Sequence, residues 1–135
     1  MSQPIATDSQ QRLKDVRRGV LHLHKILLDM ERAAYEQVRG RVSSGELLQL
    51  VINHEQFAWL RSMSELIVRI DEMLDAEEPA TDEEAKSLLA DARALLKPSE
   101  SGSNFEQEYF VALQREPAAV LAHREVMESL VENKK

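Results

Sequence analysis

The sequence of 135 residues has no cysteine and little glycine, proline or aromatic material. The absence of cysteine excludes disulfide bonds, thiolate zinc sites, iron–sulfur clusters and a cysteine nucleophile. Only 4 glycines and 4 prolines interrupt the chain, and Phe, Trp and Tyr together make up 4 % of it. The residue types that dominate instead, such as Ala, Leu, Glu and Arg, favour helices over strands. We therefore expect an all-α fold.

The chain also lacks an excess of positive charge. It has 24 Asp and Glu against 17 Lys and Arg, which gives a formal net charge of −7 at pH 7. A nucleic-acid partner requires a basic face and is not expected. Charges interrupt every apolar stretch before it reaches the roughly 18 residues of a membrane span, and the N-terminus MSQPIATDSQQ has no signal-peptide pattern. We therefore expect a cytoplasmic protein with no membrane partner.

The first predicted helix has apolar residues at steps of three and four. It follows the capping residues of 7–9 and ends at Gly40. Its apolar seam is Leu13, Val16, Val20, Leu23, Leu27, Met30, Ala34 and Val38. A second stripe, Leu21, Leu28 and Tyr35, lies beside the seam and widens the apolar arc. This width predicts neighbours on two sides of the helix.

Capping boxes and prolines divide the rest of the chain into further helices. They predict a short helix at about 44–52, a long one at about 54–77, and others at 82–97 and 105–132. Pro117 interrupts the last of these, and either kinks one helix or begins a new one. One apolar register crosses the proline, formed by Tyr109, Leu113, Val120, Met127 and Leu130. We therefore favour a kinked continuation.

Together these segments predict one domain over 1–135, an up-down-up-down four-helix bundle with one extra short helix and a proline-kinked last helix. Residues 1–8 and 133–135 are expected to be tails, the first of them disordered, and 98–104 a mobile loop.

Known multi-metal motifs are missing from the histidine-containing segments. Di-iron bundles need Glu three residues before His, whereas residues 19, 21, 51 and 120 are Gly, Leu, Val and Val. Four residues after the histidines the chain has Ile26, Leu28, Ala58 and Met127, none of which is a metal ligand of the haemerythrin type. No nucleophile elbow, P-loop or dinucleotide motif is present, so the sequence favours a protein that is not an enzyme.

A single-metal site built from several helices is still compatible with the sequence. It would use His24, Glu31, His54 and His123, and these ligands would suit one zinc or nickel ion. The alternative, which we favour, is that His24 and His123 lie at the edge of the core and hydrogen-bond neighbouring groups, with no cofactor. His22 is predicted to be solvated, because it lies two residues from His24 and on another side of the helix.

Self-association is the leading functional hypothesis. The predicted helix at 82–97 spans only about 24 Å and is shorter than the first helix, so it leaves part of the first helix uncovered. Either the short helix at about 44–52 or a second copy of the chain would cover it. The second copy predicts a homodimer, and another protein partner is an alternative. The predicted interface residues are Leu21, Leu28, Tyr35, Phe57 and Trp59.

Three stretches resemble small uncharacterised bacterial helical-bundle proteins. They are HKILLDMERAAYE (24–36), ELLQLVINHEQFAWLRSMSELIVRIDEML (46–74) and LQREPAAVLAHREVM (113–127). The resemblance covers most of residues 20–130 and implies a compact bacterial domain. No activity is attached to that group, so it implies no functional residues.

Overall fold

A computed structural model describes residues 7–131 of the chain, and these residues are almost entirely helical. The elements are α1 (Thr7–Arg39), α2 (Ser44–Asn53), a 3-10 helix (Glu55–Leu60), α3 (Arg61–Asp75), α4 (Asp82–Leu95), α5 (Asn104–Arg115) and α6 (Pro117–Leu130). No strand occurs within 7–131, which confirms the all-α prediction. Of the predicted tail 1–8, Thr7 and Asp8 already belong to α1, and 1–6 and 133–135 lie outside the described residues.

Helix α1 is the element around which the core is built. The first five residues of its predicted seam are fully buried, and α1 packs against α3, α4 and α6. Along α1 and α3, Arg17 pairs with Asp71 and His24 contacts Ser64, so the two helices run in opposite directions. Gly40, with φ +88°, ends α1 in the left-handed conformation that glycine tolerates best.

The end of α1 departs from the prediction. Val38, the last residue of the predicted seam, is 80 % exposed, whereas Leu27 is 0 % exposed. The seam pattern persists along the helix, but α1 runs beyond the helices that bury its first half. This exposed end leads directly to α2.

The predicted kinked last helix is two helices. The backbone N–H of Glu116 closes α5 on the carbonyl of Ala112, and Glu116 is extended, with φ −124° and ψ 99°. Pro117 then stands in the first turn of α6, where its missing N–H costs nothing. Residues 7–131 therefore form six α-helices, where the sequence predicted four principal ones and a short one.

The extended conformation of Glu116 also changes which positions of the following helix face the core. Val120, assigned to the seam from the sequence, is 45 % exposed, whereas Ala119, Ala122 and Val126 are buried. The assumption that one register crosses Pro117 was therefore wrong. The long helix predicted at about 54–77 begins instead as the 3-10 helix, which His54 caps, and Asn53 still belongs to α2.

Candidate functional site

His24, the first of the predicted metal ligands, lies between α1 and α3. Its Nε2 is 3.0 Å from Oγ of Ser64, and that hydroxyl also donates to the carbonyl of Leu60 at 3.4 Å. Burial lowers the pKa of His24 from its ordinary value of 6.5, so the ring is mainly neutral at pH 7. A helical Ser bonded to the preceding turn and to one neighbour is a packing arrangement, which agrees with the favoured interpretation of this histidine.

Glu31 receives hydrogen bonds from the 3-10 helix. Its Oε1 accepts from Nε2 of Gln56 at 2.8 Å, and its Oε2 accepts from Nε1 of Trp59 at 2.8 Å. Both carboxylate oxygens are therefore occupied by donors from the same short element. Glu31 fixes the position of the 3-10 helix on α1.

His54 has a capping role. Its Nδ1 accepts the backbone N–H of Gln56 at 3.1 Å, which starts the 3-10 helix directly after α2. The imidazole also packs edge-on against Tyr35, with ring centroids 5.5 Å apart, and Phe57 packs on both rings. This aromatic cluster of Tyr35, His54 and Phe57 joins the end of α1 to the α2–α3 junction.

His123 pairs with Tyr109 across the α5–α6 junction. The Nδ1 of His123 is 2.5 Å from the Tyr109 hydroxyl. Burial lowers the pKa of His123 below 6.5, and burial raises the pKa of Tyr109. Each of the four predicted ligands is therefore engaged in hydrogen bonds with other residues, and Glu31 and His54 share the partner Gln56.

The structure does not bring the predicted metal ligands together. Among residues 7–131, no group of three or more His, Asp and Glu side chains lies close enough to hold one ion. His22, in contrast, is exposed as predicted, and its Nδ1 lies 3.9 Å from Oε1 of Glu125.

The predicted interface residues divide into two sets. Phe57 and Trp59 are 1 % and 6 % exposed, so they pack inside the chain and present no surface to a partner. Leu28 and Tyr35 are half-buried, and Leu21 is 40 % exposed. The 3-10 helix and α3 cover much of the arc that the sequence left without a neighbour.

Helix α2 is the element that the sequence reasoning overlooked. Five of its ten residues are large aliphatics, yet none of the ten is buried. Leu48 and Ile52 are 57 % and 53 % exposed. Every other element contributes at least three buried residues. The aliphatic residues of α2 and the neighbouring Val38 form what we call the α2 surface: Val38, Leu47, Leu48, Leu50, Val51 and Ile52.

Polar contacts from α1 hold the loop that leads into α2. The Arg32 guanidinium donates to the carbonyl of Val42 at 2.7 Å, and the Val42 N–H donates to Oε2 of Glu36 at 2.9 Å. The Val42 N–H, followed by Arg32, lowers the pKa of Glu36 below its ordinary value. We call Arg32, Glu36 and Val42 the loop clamp.

Local contacts also fix both ends of α2. At its start, the Ser43 hydroxyl accepts the N–H of Glu46 at 3.2 Å, and the Glu46 carboxylate accepts the N–H of Ser43 at 2.8 Å. This is the capping box predicted from the sequence. At the other end, Arg61 donates to the carbonyl of Ile52 at 3.1 Å. The α2 surface is thus presented in a defined orientation.

The periodicity of α2 gave no sign of its exposure, because its aliphatic residues cover more than half of the helix circumference. Such a pattern is typical of a buried helix. The one available signal was its length, since ten residues between two loops provide little area for packing.

No protein-family model matches the chain, and no curated protein or solved structure shows a significant similarity to it. The resemblance to small bacterial helical proteins therefore stays a prediction. None of the helices within 7–131 combines the length and apolarity needed to cross a lipid bilayer.

Proposed function

We propose that this protein is a non-catalytic helical module that forms a homodimer through the α2 surface. The observation that carries the proposal is that no residue of α2 is buried and that Leu48 and Ile52 are more than half exposed. An apolar surface on an ordered element is stabilised when a partner removes it from water. Helices α1, α3, α4 and α6, which we take as an up-down-up-down bundle, form the scaffold that presents it.

The charge distribution favours a second copy of the chain as the partner. Two copies with a net charge of −7 repel each other over most of their surfaces. The ten residues of α2 carry a single charge, on Glu46, so copies that meet here avoid most of that repulsion. This makes α2 the surface on which self-association costs least electrostatically.

An antiparallel pairing of α2 with the α2 of a second copy explains the arrangement of its ends. A two-fold axis near the middle of the helix places Glu46 of each copy opposite the end of the partner's helix, where Arg61 is bound to the Ile52 carbonyl. Opposite charges and opposite helix dipoles then face each other.

The surface is small, and this sets the expected affinity. Ten residues span roughly 15 Å, so α2 and the end of α1 bury less than a standard interface. We therefore expect a dimer with a Kd of about ten to a hundred micromolar.

Sedimentation equilibrium on the full chain tests this function. We expect the wild-type protein to shift from monomer to dimer over the concentration range around that Kd, and Leu48→Glu to abolish the dimer by burying a charge in the apolar surface. Val68→Glu is the matched control, because Val68 is 52 % exposed on α3, comparable with Leu48 at 57 %. Neither change alters a buried residue, so both variants should keep the helical spectrum of the wild-type protein.

Two results would reject the homodimer. One is a strict monomer at concentrations well above that Kd. The other is a dimer that Val68→Glu dissociates and Leu48→Glu leaves intact. In the first case the α2 surface would remain available to a different protein.

The absence of cysteine supports placing this module in a reducing compartment such as the cytoplasm. The geometry of the described residues does not favour a metal-binding function, since no group of three or more potential ligands, the four predicted ones included, converges there.

A further inference from the structure

A groove of about 440 Å³ lies between the end of α4 and α6, on a different part of the molecule from the α2 surface. Its volume is within the range of small-molecule sites. Its apolar lining comes from both helices and the loop that follows α4: Ala90, Ala94, Leu96, Pro98 and Met127. Leu96 is buried and Met127 is half-buried, so the groove has a fixed floor.

The polar lining of this groove is basic or neutral. It consists of Arg93, Lys97 and His123, without an acidic residue. Three other grooves formed by the described residues each contain at least two carboxylates. The lining of this groove thus contains no acidic side chain, although the chain has a net charge of −7. This arrangement gives the groove a positive local field.

His123 offers a hydrogen-bond donor to this groove. Tyr109 is fully buried, and the contact of its hydroxyl is with Nδ1 of His123 at 2.5 Å. A buried hydroxyl needs an acceptor, and Nδ1 supplies it, so in the neutral ring the proton is on Nε2. The ring nitrogen not engaged by Tyr109 is therefore an N–H.

The cationic groups that line the groove suit a ligand with one negative charge better than a ligand with two. Arg93 donates to the carbonyl of Leu130 at 2.5 Å, so part of its guanidinium is already engaged, whereas Lys97 is exposed. Arg93, Lys97 and the His123 N–H surround a small anionic headgroup, and the floor accommodates an apolar chain.

We propose that this groove binds a small amphiphilic carboxylate, with its chain on Ala94, Pro98 and Met127 and its headgroup at Lys97, Arg93 and His123. The chemical class follows from the combination of an apolar lining, one exposed ammonium and neutral or partly engaged donors. This site is independent of the homodimer, because none of its lining residues belongs to the α2 surface.

Titration calorimetry on the full chain tests the site with three probes that share a chain length: octanoate, 1-octanol and octylammonium. We expect octanoate to bind at least tenfold more tightly than either of the others. NMR shift perturbations should centre on residues of α4 and α6 that line the groove.

Lys97→Gln should weaken octanoate binding about tenfold, the effect of removing one charge-assisted contact. Lys86→Gln is the control, because Lys86 is also an exposed lysine, on α4 but outside the groove. Both substitutions are on the surface, so neither threatens folding.

The site is rejected if octanoate fails to bind at about 10 mM, the weak end of specific ligand affinities. It is also rejected if octylammonium binds as well as octanoate, or if the two lysine variants lose affinity equally. The same probes applied to Leu48→Glu should show unchanged binding, which separates this inference from the homodimer.

Discussion

Glu31 shows how one side chain can be indispensable without being a ligand or a catalyst. It was selected from the sequence as a metal ligand because it shares a helix face with His24. In the structure both its oxygens accept hydrogen bonds from the 3-10 helix, one from Gln56 and one from the indole of Trp59. Two helical segments far apart in sequence are thereby fixed to each other at a single carboxylate.

Replacing Glu31 with alanine should therefore destabilise the fold. The substitution leaves the N–H of the buried Trp59 side chain without its acceptor, and an unsatisfied buried donor costs about 1–3 kcal/mol. Urea unfolding, followed by Trp59 fluorescence and by circular dichroism, measures the loss. Glu65→Ala, at an exposed position on α3, should change the free energy of unfolding by less than about 0.5 kcal/mol. Equal effects of the two substitutions would contradict this role of Glu31.

At the scale of elements, α1 and α6 approach each other closely at Gly19. A Cβ added to Gly19 would lie 2.7 Å from Cγ2 of Val126. Val126 is fully buried and β-branched, so it has little freedom to move aside. The absence of a side chain at Gly19 thus allows α1 and α6 to pack this closely.

Two glycine-to-alanine substitutions should have opposite effects. Gly19→Ala gains up to about 1 kcal/mol of helix propensity but incurs an overpacking cost of about 1–3 kcal/mol, so we expect a net loss of stability. Gly45→Ala, on α2, meets no atom within 4 Å and should be stabilising. In a Val126→Ala background, Gly19→Ala should become stabilising too, which a double-mutant cycle by urea unfolding would measure. A Gly19→Ala protein as stable as the Gly45→Ala protein would contradict the steric crowding between position 19 and Val126.

At the scale of the whole molecule, half-buried histidines determine how stability depends on pH near neutrality. Burial lowers the pKa of both His24 and His123 from 6.5 in the folded chain. The unfolded chain therefore binds more protons than the folded chain as the pH falls through and below that value. The free energy of unfolding should decrease as the pH is lowered in this range.

His24→Gln and His123→Gln should each reduce this decrease, by at most about 1.4 kcal/mol per pH unit, the limit for one proton. Urea unfolding at about pH 7.5 and at about pH 5.5, on either side of the ordinary histidine pKa, measures this decrease in the free energy of unfolding. His22→Gln, at an exposed position, should leave the slope unchanged. Carboxylates such as Glu36 and Asp82, whose pKa is also lowered, contribute only at more acidic pH.

The sequence predicted those parts of the fold that depend on neighbouring residues. The apolar seam of α1 as far as Leu27, the capping boxes at Ser43 and Thr81, and the stop at Gly40 are all present, because each needs only contacts within a few residues. The break at Pro117 was misjudged because a proline is compatible with both a kink and a first turn, and tertiary packing decides between them.

The candidate sites were harder to predict, since they depend on which elements meet. Trp59 and Phe57 have the residue types of an interface but are covered by α5 and by the end of α1. The aliphatic residues of α2 have the composition of a core, but none of them is buried. Spacing along one helix contains no information about the helix opposite, which is why four histidine and carboxylate positions did not form one site.

The position of α2 outside the core has a consequence for how this chain can change. Helix α2 supplies no buried residue, and it is attached mainly at its two ends, by the loop clamp of Arg32, Glu36 and Val42 and by the Arg61 bond to Ile52. Substitutions on its exposed positions therefore alter what the molecule recognises without altering whether it folds. Recognition and folding are encoded in separate residues, so the preferred partner can be redesigned by rewriting α2 while α1 and the helices packed around it stay constant.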